Sequence, residues 1–167
     1  SLQLLAQMNW QFKDEVELFS GTIRDDNGEA GEPKWVGDFN LIWSPNDTTR
    51  IFYGLDVIGG TSDLADYIQT VGGECRTPSD TGIEFCPLLT AKTTFYHNLS
   101  ITKKIADGRF EITAGVSNLF DKHPPRVTVA GSNSLNGGTI STVGKSVLAS
   151  QYDYLGRRAF VAVKAKF

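Results

Sequence analysis

Cys75 and Cys86 bracket the stretch RTPSDTGIEF, with no histidine close by. That local spacing suits a disulfide stapling a loop in an oxidising compartment, in preference to two free thiols, and argues against a zinc site. The acidic run DDNGE at 25–29 could offer carboxylates to calcium. It lacks the spaced ligands and closing glutamate of an EF-hand loop, so it reads as a solvated turn. His97 lies inside an alternating segment and reads as a position in an aromatic girdle. His123 precedes Pro124 and Pro125 and reads as a rim residue. Neither histidine has the company that a metal site needs. Ser132 and Ser134 fall in a Gly- and Asn-rich stretch without a nucleophile elbow, and no motif places a carboxylate pair on a rigid frame. The expectation is a non-enzyme, with no catalytic residue, no cofactor and no metal.

Composition narrows the partners. The 167 residues carry a formal net charge of -3 with no basic stripe, which gives no reason to expect nucleic acid. No stretch approaches the ~20 apolar residues of a membrane helix. That leaves strands that cross a bilayer untouched, because they alternate lipid-facing apolar with lumen-facing polar residues.

Six segments alternate in this way. One face of each carries Leu4, Ala6, Met8, Trp10 and Phe12; Trp35, Phe39, Leu41 and Trp43; Ile51, Tyr53, Leu55 and Val57. The series continues with Phe95, His97, Leu99, Ile101 and Ile105; then Phe110, Ile112, Ala114 and Val116; and last Ala159, Val161, Val163, Ala165 and Phe167. The opposite faces hold mostly Gln, Asn, Asp, Ser, Thr, Lys and Gly. Period two places successive side chains on opposite sides of a strand, and about ten residues per segment suffice for a tilted strand to cross a bilayer.

The connections alternate too. SPNDT at 44–48 and ADG at 106–108 are tight turns of the residues that turn geometry favours. Long loops rich in Gly, Ser, Asn and Thr span roughly 20–34, 59–93 and 121–156. Short turns on one rim and long loops on the other fit an outer-membrane barrel, which has short periplasmic turns and long external loops. The expected fold is therefore all-β, with about six antiparallel, up-and-down transmembrane β-barrel strands and the carboxyl terminus in the periplasm. Girdle aromatics then fall on two rims, with Trp35, Phe95 and Trp10 or Phe12 at the outer end and Trp43, Phe110 and Phe167 at the periplasmic end. Phe167, preceded by Val161, Val163 and Ala165, stands where outer-membrane assembly machinery would read a terminal aromatic. Small residues at Gly54, Ser100, Thr102, Gly115 and Ser117 face inward and suit a wide interior. Within the second loop, TSDLADYIQTVGG at 61–73 reads as a short helix capped by Asp63 and ended by Gly72, with Leu64, Tyr67, Ile68 and Val71 on one face.

Two other readings fit parts of the pattern. One is a secreted all-β binding module, for carbohydrate for example. The other is a complete eight-stranded barrel, which needs further strands from a split of residues 1–20 at KDE or from a hairpin around RVTVAGSNSLNGGTISTVG.

The stretch FEITAGVSNLFDKHPPRV at 110–127 resembles the penultimate strand of TonB-dependent outer-membrane receptors, and YDYLGRRAFVAVKAKF at 152–167 is similar to their final strand. The resemblance covers about the last third of the chain. It implies a roughly 22-stranded barrel plugged by a separate domain, importing an iron chelate, cobalamin or a sugar with TonB-derived energy. On that reading residues 1–167 are the C-terminal part of the barrel domain, with the plug domain absent. The partners are the rest of the barrel, the plug and through it the TonB complex, outer-membrane lipid and a small-molecule substrate. Asp38, Asn40, Asp56, Lys104 and Glu111 are then the lumen-facing candidates for plug contact.

Overall fold

Alternation becomes a sheet in the computed structural model, which describes residues 1–75, 77, 79, 82–84, 86–127, 145–146 and 151–166. The first strands are β1 (Leu2–Trp10), β2 (Glu15–Phe19), β3 (Thr22–Asp25), β4 (Trp35–Asn46), β5 (Thr49–Ile58) and β6 (Thr61–Ser62). Helix α1 (Leu64–Val71) follows, then β7 (Thr90–Ala91), β8 (Thr94–Ile105), β9 (Phe110–Ser117), β10 (Arg126–Val127), β11 (Lys145–Ser146) and β12 (Arg158–Ala165). The six expected strands form one antiparallel sheet in the order β1-β4-β5-β8-β9-β12. Up-and-down order lets each strand pair with its sequence neighbour in the wall, so no crossover is needed.

Register keeps the two faces separate across all six strands. Leu4 pairs with Leu41, Leu41 with Tyr53, Tyr53 with Leu99, Leu99 with Val116, and Val116 with Ala159, giving one unbroken apolar row. On the other side Gln7 pairs with Asp38, Asp38 with Asp56, and Asp56 with Tyr96. A slip of one residue would exchange the faces, so the shared pattern is what fixes the pairing. Two polar side chains on the apolar face have local solutions. Lys103 reaches its ammonium to the hydroxyls of Thr48 and Thr49, at 3.0 and 2.7 Å on the tight-turn rim, while its stem stays among apolar neighbours. His97 Nδ1 meets the Tyr53 hydroxyl at 2.7 Å, and Phe120 packs edge-on against the imidazole. At the ADG turn, Ala106, Asp107 and Gly108 all take positive φ, which lets β8 reverse directly into β9.

The loops hold more structure than their composition suggests. The first one begins earlier than residue 20, because residues 15–25 fold into the hairpin β2–β3 as a separate two-stranded sheet. Residues 1–20 do split as an eight-stranded ring would require, but the extra strand leaves the wall. The ladder β10–β11 likewise forms its own small sheet, so the described wall is open and six-stranded. In the second loop β6 pairs with β7, and the α1 segment lies between them. Gly72 ends α1 at φ 84° as expected, and its N–H donates to the Ile68 carbonyl. Asp63 occupies the N-cap position without capping: its carboxylate instead accepts the Ala30 N–H at 2.5 Å, a partner from the first loop. Tyr67 is the buried member of the helix face, Leu64 is half-buried and Ile68 exposed, while the Val71 side chain lies outside the described part.

The packed core is small and sits at the long-loop end. Ile58, Ala91, Tyr96, Val127 and Tyr152 form it, with Ala30 and Val36 against them. Elsewhere the wall has no packed layer on its apolar face among the described residues.

Candidate functional site

Above the polar face lies a concavity of about 740 Å³, walled by Asp38, Asp56, Asn98, Phe52, Phe160 and Tyr152 among others. The first two are cross-strand partners, so two like charges face each other directly, an arrangement that destabilises a bare sheet. Each is steadied by an amide: Asn40 Nδ2 donates to Asp38 at 2.8 Å and Asn98 Nδ2 to Asp56 at 2.9 Å. The small inward residues expected to widen the interior prove to seat aromatics. The Phe52 ring lies over Gly54 and the Phe160 ring over Gly115, so close that a Cβ on either glycine would meet the ring within 3 Å. Thr102 and Thr113 spend their hydroxyls on one another at 3.0 Å.

Loop residues roof one end of this concavity. Asp153 is the hub. Its N–H donates to the Tyr96 hydroxyl at 3.1 Å, and its carboxylate takes two bonds from the Arg158 guanidinium at 3.1 and 3.2 Å and one from Asn118 Nδ2 at 3.2 Å. Asn118 is 1% exposed and sits at φ 52°, a left-handed conformation that asparagine tolerates better than most residues. It also exchanges bonds with the Lys122 backbone, donating at 2.9 Å and accepting at 2.7 Å. Asp121 accepts the Arg157 N–H at 2.8 Å. At Gly156 any Cβ would approach the same carboxylate at 2.8 Å. The two motif stretches are therefore one hydrogen-bonded knot closing the β9–β12 pair. The Gln151 amide donates to the Gly31 carbonyl, tying the first loop to the third. Burial, with Tyr96 and Tyr154 near, raises the Tyr152 phenol above its usual pKa, and its hydroxyl has no hydrogen-bond partner among the described residues.

The five polar candidates all project from this face, in two groups. Asp38 and Asp56 border the loop-end concavity, with Asn40 bonded to Asp38. Lys104 and Glu111 are cross-strand partners at the tight-turn end, beside Arg50 and Thr102, and Glu111 also faces Lys164 on β12. On the apolar face Trp10 pairs with Trp35, and Phe95 lies near the same end opposite Val57. Trp43 and Phe110 lie at the other end, opposite Ile51 and Ile105. Val161, Val163 and Ala165 share that face, opposite Ala114, Ile112 and Phe110. Phe167, Ser132 and Ser134 lie outside the described residues.

Cys75 and Cys86 form the expected disulfide. They sit with Glu84 in the one His/Cys/Asp/Glu grouping of metal-site size among the described residues, but bonded sulfurs offer no thiolate. The DDNGE run is more than a solvated turn: Asp26 and Glu29 are half-buried and both pair with Arg24. The sequence pattern alone does not single out Asn118, Asp121, Asp153 or Arg24. The first three lie inside the motif stretches, which was their only signal; Arg24 gave none.

No protein-family model matches the chain, and no curated relative is detected. Two crystal structures of variants of the ferric enterobactin receptor PfeA from Pseudomonas aeruginosa do share its fold. They are 18% and 19% identical, each with a TM-score of 0.50 over 81% of this chain. The chain spans only 16% of the length of those receptors. The relationship is a distant one of fold: a six-stranded piece of antiparallel wall like that of a barrel protein.

Proposed function

We propose that this chain is part of the wall of an outer-membrane receptor that imports a large scarce nutrient: an iron chelate, cobalamin or a sugar. The two-faced sheet carries the proposal. Six strands ~4.8 Å apart and about eight residues deep at ~3.3 Å each present an apolar rectangle on the order of 24 by 26 Å. That is roughly 600 Å², the upper limit of what a soluble monomer leaves bare, and wall strands of 8 to 12 residues, tilted by about 40°, rise on the order of 20–30 Å, which suits the ~25 Å apolar band of a membrane barrel. Hydrocarbon is the covering that needs no second sheet.

The edges support the same reading. The outer backbone row of β1 runs through LQLLAQMNW without a charge or proline to guard it, and an unguarded edge in lipid costs several kcal/mol per unpaired group. Further strands would flank β1 and β12 and complete the barrel. Substrate would enter past the long loops on the outer side, with the carboxyl terminus periplasmic. Asp38, Asn40, Asp56, Lys104 and Glu111 would face a plug, which TonB-derived energy would shift. Val161, Val163, Ala165 and Phe167 would serve assembly, and Trp10, Trp35, Trp43, Phe95 and Phe110 the interfaces. The test is detergent dependence: the protein should stay in the membrane fraction and require detergent once extracted. A compact monomer in aqueous buffer would overturn the reading in favour of a secreted binding module.

A further inference from the structure

The first and second long loops meet at a junction that the transport reading does not use. Ser62 N–H donates to the Gly28 carbonyl at 2.8 Å, and Ala30 N–H donates to the Asp63 carboxylate. Beside these bonds the half-buried guanidinium of Arg24, on β3, pairs with Asp26 at 2.6 Å, with Glu29, and with Asp66 of α1 at 3.4 Å. The Arg24–Asp26 approach is an ion pair whose angle makes no hydrogen bond. One cation thus faces Asp26, Glu29, Asp63 and Asp66. Asp25 and Lys34 line the adjoining concavity of about 500 Å³, with the Lys34 stem packed on Gly28.

We propose that Arg24, Glu29 and Asp66 form a proton-sensitive latch between the two loops, closed when Glu29 is protonated and loosened when it ionises. The excess of carboxylates over the single guanidinium is the physical reason. Protonation removes one negative charge from the junction and gives Glu29 a proton to donate to Asp66; ionisation sets two carboxylates from different loops against each other. Burial, followed by the charge and hydrogen bond of Asp66, outweighs Arg24 and pushes Glu29 up to about 7. The latch is therefore set near neutral pH. It depends on the loops alone and holds whatever the protein transports.

Hydrogen exchange of the Ala30 and Ser62 amides tests it, on the full protein in detergent at pH 5.5 and 8.5, after correction for intrinsic exchange. Protection should be at least threefold greater at pH 5.5. Glu29→Gln should keep high protection at both pH values, Asp66→Asn should flatten the difference, and Arg24→Met should lower protection even at pH 5.5. The β4–β5 amides, unchanged throughout, report that each variant is folded. Equal protection of the wild type at both pH values, or a pH difference that persists in Glu29→Gln, would overturn the latch.

Discussion

Val163 in β12 and Val127 in β10 are the same side chain in opposite settings: the first is 65% exposed and the second 1%. The wall that holds Val163 is paired throughout yet packs its apolar face against nothing among the described residues. The loop head that holds Val127 has short ladders and irregular backbone, yet it supplies Ala91, Val127 and Tyr152 to the buried cluster, which closes on Ile58 and Tyr96 at the loop-side ends of β5 and β8, and it holds the Asp153 hub and the loop-to-loop bonds. The wall takes its order from backbone pairing, and on the proposed reading lipid covers its apolar face. The loop head instead buries apolar side chains within the chain, together with the loop-side ends of β5 and β8.

Breaking the wall should give the largest effect. Ile112→Arg puts a charge at the middle of the apolar face and should cost about 2–4 kcal/mol of folding in a bilayer, seen as loss of the heat-stable folded band on a gel. Its neighbour Thr113→Arg, on the polar face, should cost about 1 kcal/mol, chiefly the lost Thr102 bond. Equal losses would erase the distinction between the faces.

Cutting the staple should touch the head alone. The Cys75–Cys86 bond spans a sequence separation of 11, so the paired serine variant should release the loop by up to about 3 kcal/mol. Proteolysis should then cut within 73–88 while the wall strands stay protected.

Asn118→Ala should come next, at about 2 kcal/mol, because it strands the Lys122 backbone groups and one Asp153 bond in a buried site. Faster hydrogen exchange should appear at 118–122 and 151–158 and nowhere else. Asn118→Gly, which keeps the backbone conformation but not the bonds, should recover little.

The smallest effect is on pH. Glu29 sits at about 7 in the folded head against 4.5 unfolded. A raised carboxyl contributes its full stability below pH 4.5 and loses it as pH rises through 7. After discounting for water's screening, the head should lose about 1 kcal/mol between pH 5 and pH 8, measured as local exchange, with no change in the wall.

The wall was legible because it obeys one local rule. Alternation at Leu41, Ile112 and Val163 marks a face without reference to any partner, and the tight turns at 44–48 and 106–108 fix which strands adjoin. The loop head obeys no such rule. Asn118 and Asp153 are 35 residues apart, and Asp63 serves Ala30 from 33 residues away; nothing in spacing announces either bond. Asp63 shows why: the residue type was right for a cap, but a closer N–H from another loop took its carboxylate. The hairpin at 15–25 alternates only over Glu15–Leu18 and Thr22–Arg24, runs too short to stand out beside the wall segments of about ten residues, so the sequence offers it only as a split at KDE.

What the apolar rows of the sheet touch decides between lipid and a packed protein interior. Nitroxides placed one at a time at Val161, Ala162, Val163 and Lys164 in protein reconstituted into lipid bilayers read this directly, through collision with oxygen, which dissolves in lipid, and with a polar nickel chelate. Lipid against the apolar face predicts strong oxygen and weak nickel collisions at 161 and 163, and the reverse at 162 and 164. Nickel reaching 161 and 163 as readily as 162 and 164, or neither reagent reaching any of the four, would contradict it.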